Sequence, residues 1–401
     1  MEAGITSAET GGRSTTLGDW SRLVSRWGHL SSGSTLPGYQ ANNGLRDQVM
    51  ALNWIKENIS GFGGDPDNVT LLGVSAGGIS ALYHLQSTTP LFKRVVSMSG
   101  TPLMIKPLPL HVAEHAYQTV IAALGLTDLT PADRIEKLRR MPPEKLLKVP
   151  HSVRTQPVLD GELIKLAPSF QSLEQTVSPG AQWCEELMIG WCGYDATIYT
   201  TFAPIFSSPS LRSAITESFT KSLPSDELPA TLFNVYGLDN PDASQDVVLS
   251  SVMRLGTHLI FRNAVLAYAA AWSSSTANSK RAYVYDCEVP NPWKGGCWTG
   301  KPSHLVDVAL LFRNFDEYIE SPATRELAAA FARDILTFIA GRGSSSSDRL
   351  QEGKVNIYGP TEVSVVALED VQRDAIARAT ERDGVRLDAL SDAWGNFIMG
   401  K

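Results

Sequence analysis

Ser75 lies in the pentapeptide Gly73-Val74-Ser75-Ala76-Gly77, within the longer stretch NVTLLGVSAGGISALYHL from Asn68 to Leu85. A short apolar segment precedes it and a helix-forming segment follows. A serine on a sharp strand-to-helix turn has its Oγ lifted above the sheet edge, where it can attack a carbonyl. Gly73 and Gly77 leave room for such a turn, and Gly78 lets the helix approach the strands. The backbone N–H of Ala76, at the helix start, would point toward an oxyanion. The competing reading is a small residue that only lets a strand and a helix pack closely.

A nucleophilic serine needs a base, and the base needs an orienting group. The histidines are His29, His84, His111, His115, His151, His258 and His304. His84 sits nine residues beyond Ser75 in the proposed helix and reads as structural. His111 and His115 form an i, i+4 pair without an evident third ligand, so a solvated helix face explains them. His304 follows the turn-rich GCWTGKPS and precedes the compact apolar run LVDVALLF. A loop entering such an element suits a catalytic base.

These residues need a core to hold them. A chain of 401 residues buries roughly three-quarters of its unfolded surface. With 43% apolar and 19% charged residues, the composition is that of a globular protein. A formal charge of -7 gives no general attraction to nucleic acid or anionic membrane. No apolar run is long enough to span a bilayer, and the first residues lack the basic start and apolar centre of a signal peptide. A soluble, cytoplasmic protein is the expectation. Four cysteines are too few for a disulfide-built scaffold, and their spacing fits no usual zinc pattern. Reduced thiols are the expectation, the alternative being a Cys287–Cys297 pair in an oxidising compartment.

The elements alternate. In NGLRDQVMALNWIKENISGF, Leu45, Val49, Leu52, Ile55 and Ile59 give a helix one apolar face. NVTLLG reads as a buried strand, GGISALYHLQS as a helix, and FKRVVSMSG as a second strand. ELMIG and RAYVYDC are further strand candidates. TPADRIEKLRRM carries a helix start at Thr130 and Pro131, and ATRELAAAFARDILTFIAG is a strong late helix. This order predicts an α/β fold with a mostly parallel sheet. One domain over 1–401 is expected, with a shortened N-terminus at 1–41, a cap or substrate wall near 196–275, and a loop and C-terminal tail at 341–401.

Residues 42 to about 340 resemble the type-B carboxylesterases of the α/β-hydrolase class, which include fungal lipases and cholinesterase-like proteins. NNGLRDQVMALNWIKENISGFGGDPDNVTLLGVSAGG is similar to the family's helix and nucleophile-elbow signature, and VVSMSG, QPVLDG and PSHLVDVALLF resemble its later landmarks. The resemblance implies the order serine, acid, histidine. It also implies the acid: LMIGWCGYDATIY resembles the segment in which a carboxylate follows a strand-ending glycine by five residues, which makes it Asp195, with Ala196 where the family usually has glycine. Asp160 in VLDG and Asp307 are competing carboxylates, otherwise read as a turn residue and a local structural group.

The implied reaction is hydrolysis of a small to medium apolar ester through an acyl-serine intermediate on Ser75, with His304 as base and Asp195 as orienter. It requires no metal or organic cofactor. Two departures from the family stand out. Its glycine-rich oxyanion loop, typically His-Gly-Gly, should precede NGLRDQ, yet TGGRSTT follows no apolar strand and RWGHLSSGS resembles the strand end just before NGLRDQ. The chain is therefore expected to begin after that loop, leaving the Ala76 N–H as the visible donor, and each lost donor costs about 3 to 4 kcal/mol of transition-state stabilisation. The elbow strand should also lack a neighbour. Val74 stands where most relatives carry glutamate, which removes a charge without stranding another. The alternatives to an esterase are a catalytically impaired, hydrolase-like binding protein and a truncated gene product.

Overall fold

Six strands form one sheet whose spatial order follows chain order: β1 (Thr70–Val74), β2 (Arg94–Met98), β3 (Glu186–Cys192), β4 (Arg281–Cys287), β5 (Lys354–Tyr358) and β6 (Val363–Ala367). This computed structural model describes residues 40–146, 156–223, 227–274, 281–341, 351–373, 376–377, 380 and 386–401. The segments TGGRSTT and RWGHLSSGS, with His29, His151 and most of GRGSSSSDR, lie outside the described residues. Strands β1 to β5 run parallel and β6 is antiparallel to β5. The described α-helices of seven or more residues are α1 (Asn43–Asn58), α2 (Ala76–Tyr83), α3 (Leu110–Ala123), α4 (Pro131–Arg139), α5 (Leu211–Ser222), α6 (Glu227–Tyr236), α7 (Gln245–Gly256), α8 (Asn263–Ser273), α9 (Val306–Phe312), α10 (Pro322–Ile339) and α11 (Leu387–Ile398).

Parallel neighbours need crossovers, and helices supply them: α2 between β1 and β2, α8 last before β4, and α10 before β5. Strands covered on both faces should be apolar throughout, and β2 and β3 are buried at every position. The β1 residues are mostly half-buried, and among the described residues β1 pairs only with β2. The elbow strand therefore lies at one edge of the described sheet.

The chain gathers into two compact units. One holds Asn68–Leu82, Phe92–Met104 and Ser169–Lys401, and with them the whole sheet. Its core joins Val96, Met188, Tyr283 and Tyr285 to Phe331 and Phe338 of α10. Val74 packs on the same cluster, so the apolar residue in the elbow has apolar company. Near the N-terminal ends of the strands, Arg94 Nε donates to Glu186 Oε2 at 2.6 Å and Arg281 approaches Oε1 at 2.8 Å, pairing the buried carboxylate twice.

The other unit holds Met1–Asp67, Tyr83–Leu91 and Ile105–Pro168. Asn42 is wholly buried with a left-handed backbone, φ 60°. Its Nδ2 donates to Val158 O at 2.8 Å and to Asp160 Oδ2 at 2.9 Å, while its Oδ1 accepts from Val158 N at 2.8 Å. That clamp joins NNGLRDQ to QPVLDG, two landmarks that have no sequence proximity. His84 is buried here too, with Nε2 2.8 Å from Gln48 Oε1, and burial lowers its pKa to about 4.

Two expectations need correction, and one holds. Residues 354–398 carry β5, β6 and α11 rather than a loop and tail, and Leu390, Ala393, Trp394 and Phe397 of α11 are buried. The reduced-thiol reading holds: Cys287 is buried in β4 in register with Cys192 of β3, Cys297 is exposed, and all four thiols are free. At the elbow, Gly77 needs no room of its own, because a Cβ there would meet open space. No described helix is long and apolar enough to cross a membrane.

Candidate active site

Val74 ends β1, Ala76 begins α2, and Ser75 between them has φ 52°. A non-glycine residue in the left-handed region carries about 1–3 kcal/mol of strain and persists only where its surroundings hold it. Here the Ser75 N–H donates to Met98 O of β2 at 2.8 Å, and its carbonyl accepts from Ile79 N at 2.9 Å to close the first helical turn. Close backbone approach sharpens the bend. A Cβ on Gly73 would sit 2.3 Å from the Gly77 carbonyl carbon, and one on Gly100 would sit 2.2 Å from Ser75 O. Ser75 is half-buried and Ala76 is exposed.

The C-terminal ends of β1 to β4 share one sheet edge because those strands are parallel. Ser99 N–H donates to Gly190 O at 2.9 Å, which ties the end of β2 to β3. Asp195 follows β3 by three residues, and a bridge between Tyr194 and Ser303 brings the loop before α9 to the same edge. Ser75, Asp195 and His304 thus occupy one edge of one sheet.

Asp195 has no exposed surface. Its Oδ2 accepts from Cys192 N at 2.7 Å, and its Oδ1 lies 2.7 Å from His304 Nδ1. A carboxylate only accepts, so this bond places the proton on Nδ1 and leaves Nε2 as the basic nitrogen. The His304 side chain is 4% exposed. Its backbone N–H donates to Thr197 Oγ1 at 3.3 Å, and Thr197 Oγ1 donates to Tyr194 O at 2.7 Å. The structure brings Asp195 and His304 together; among the described residues no hydrogen bond joins Ser75 Oγ to His304.

The competing carboxylates have other partners. Asp160 Oδ1 caps its own turn by accepting from Glu162, Leu163 and Ile164 N–H groups. Asp307 is fully buried, accepting from Tyr285 OH at 2.7 Å and from Val308 N at 2.8 Å. Burial, then the charge of Asp195, raises the Asp307 pKa, and burial with Asp307 beside it pushes the Tyr285 phenol well up. His111 and His115 are exposed on α3. Among the described residues, no group of three or more histidine, cysteine or acidic side chains could hold a metal ion.

Several positions around the pair carry no sequence motif. Ala196 N–H donates to Thr257 Oγ1 at 3.0 Å, and the Phe261 ring stands edge-on to His304 with centroids 5.9 Å apart. A polar cavity of about 280 Å³ lies near Gly193, with Arg254, His258, Arg262, Asp286 and Glu288 in its wall. Burial, then Glu288, pushes the Asp286 carboxyl well above its ordinary range.

Residues 24–340 match the model of the carboxylesterase family. The chain is 31% identical over 302 residues to the para-nitrobenzyl esterase of Bacillus subtilis, an alignment covering 72% of this chain and 55% of that protein. It is 39% identical over 161 residues to the bile salt-activated lipase of Homo sapiens, covering 35% of this chain and 20% of that one. Lipase 2 of Diutina rugosa is 32% identical over 131 residues, covering 31% and 24%. The chain thus spans about half or less of the length of these curated relatives. A crystal structure of a carboxylesterase from Geobacillus stearothermophilus superposes with a TM-score of 0.68 over 90% of this chain and 73% of that one, and at 22% identity the likeness concerns the fold.

Proposed function

The chain belongs to the carboxylesterase family, and from that premise we propose that it hydrolyses small to medium apolar carboxylic esters through an acyl-serine intermediate on Ser75. His304 Nε2 takes the hydroxyl proton as Ser75 Oγ attacks the ester carbonyl, then returns it to the departing alcohol oxygen. The same nitrogen activates water, which attacks the acyl-serine carbonyl and releases the acid and the free serine. Asp195 holds Nδ1–H and favours the cationic imidazole in both steps. The Ala76 N–H, first amide of the eight-residue α2, faces the developing oxyanion.

The 2.7 Å contact between Asp195 Oδ1 and His304 Nδ1 carries this reading, because it prepares a base on the sheet edge that also bears the left-handed Ser75. One observation favours a second reading, ligand binding without turnover: Ser75 Oγ is not hydrogen-bonded to His304. Catalytic hydrogen bonds are often long before substrate arrives, so turnover decides between the two. The wild-type protein should hydrolyse p-nitrophenyl butyrate and Ser75→Ala should not. Equal rates for the two proteins, or a folded wild type with no rate above buffer, would reject the esterase reading.

A further inference from the structure

Helices α7 and α8 are continuous through one π-helical turn, Thr257–Arg262. Such turns are rare and gather at functional sites, since they cost backbone geometry that a regular helix keeps. The widened turn starts directly after Gly256, whose Cα lies so close to Trp394 that a Cβ would meet the ring at 2.2 Å. Thr257 and Phe261 on this turn have no exposed surface. Both reach the surroundings of the acid–base pair: Thr257 Oγ1 accepts from Ala196 N, one residue beyond Asp195, and Phe261 stands against the His304 ring.

We propose that Thr257 is a positioning residue for the triad, holding the Asp195–Ala196 peptide so that the Asp195 carboxylate keeps its aim at His304. The inference rests on the esterase reading for its kinetic consequence, while its geometric content stands without it. Three consecutive residues leave β3's loop under separate restraint. Asp195 is held through its carboxylate by Cys192 N–H and His304, Ala196 through its N–H by Thr257, and Thr197 through its hydroxyl by Tyr194 O and His304 N–H. Ala196 is fully buried, so without Thr257 Oγ1 its N–H has no water to turn to. Displacing that peptide bodily toward another acceptor relieves the orphaned donor, and the same displacement carries Asp195 Cα, and with it the carboxylate, off its line to Cys192 N–H and His304 Nδ1.

Thr257→Val preserves shape and removes the acceptor, whereas Thr257→Ser keeps it. Two readouts separate positioning from packing: kcat and KM on p-nitrophenyl butyrate per fluorophosphonate-titrated site, and the low-field proton resonance of His304 Nδ1–H in the full chain. For the valine variant, kcat per titrated site should fall about tenfold to a hundredfold with KM little changed, the scale expected when a reacting group is misplaced by about 1 Å. The resonance should move or broaden, and serine should restore both. A valine variant whose resonance stays at the wild-type position overturns the inference, as does a serine variant that behaves like valine. A wild type that is neither labelled nor active removes the esterase reading instead, and the resonance alone then decides whether Thr257 positions the pair.

Discussion

Replacing Asp195 by asparagine isolates the orienting role, because the substitution keeps shape and removes only charge and one acceptor. The Cys192 N–H, 2.7 Å from Oδ2, is a fixed donor on the backbone. An asparagine at this position must therefore turn its oxygen toward Cys192 and its NH₂ toward His304 Nδ1, now 2.7 Å from a group that only donates. Nδ1 becomes the acceptor and the ring proton moves to Nε2, the nitrogen that should take the Ser75 proton. The base is then present in the wrong tautomer. A loss of kcat on the order of 10⁴ follows, about 5.5 kcal/mol of barrier at about 1.36 kcal/mol per tenfold. Asp195 has no exposed surface and cannot touch substrate, so KM should change little. The assay is steady-state hydrolysis of p-nitrophenyl butyrate, with circular dichroism and thermal melting to establish that the variant folds. A folded Asp195→Asn protein whose kcat lies within tenfold of wild type would refute the tautomer argument and the assignment of the acid.

Burial holds the His84 pKa near 4 against an ordinary 6.5, so the proton binds the unfolded chain more readily than the folded one. Stability is then full above pH 6.5 and is lost as pH falls toward 4, by about 3 kcal/mol from this group. In His84→Gln that share of the pH dependence should vanish from urea midpoints measured across the window; identical pH profiles for the two proteins would contradict it. At the elbow, Gly73→Ala drives a Cβ to 2.3 Å from the Gly77 carbonyl, whereas Gly77→Ala meets open space. The first should cost about 1–3 kcal/mol and most of the esterase rate, and the second should leave both nearly unchanged. Equal effects at the two glycines would show that close backbone approach does not shape the turn.

Where a residue's role depends on local sequence, it was legible. The elbow, β1 to β4 and the long helices α1 and α10 are written in apolar periodicity and glycine placement, and RAYVYDC is β4 residue for residue. His304 was marked by the loop it occupies. Asp195 was not, since a carboxylate after a strand looks like any other and only the family pattern singled it out. Thr257 and Phe261 left no trace, because one hydrogen bond and one ring contact created by tertiary packing define their place. Strands β5 and β6 are no shorter than β1 and β2, but KVNIY and VSVVA flank no catalytic motif and follow a glycine- and serine-rich segment that reads as a loop. The missed α11 did have a signal: Leu390, Ala393, Trp394 and Phe397 recur at helical spacing and form its buried face.

The central claim is that Ser75 is an activated nucleophile, and a covalent probe tests it without any assumption about the natural ester. Folded wild-type protein treated with a fluorophosphonate, then digested and analysed by mass spectrometry, should carry one adduct on Ser75, and Ser75→Ala should carry none. A folded protein that takes no label, or takes it on another residue, would contradict the account.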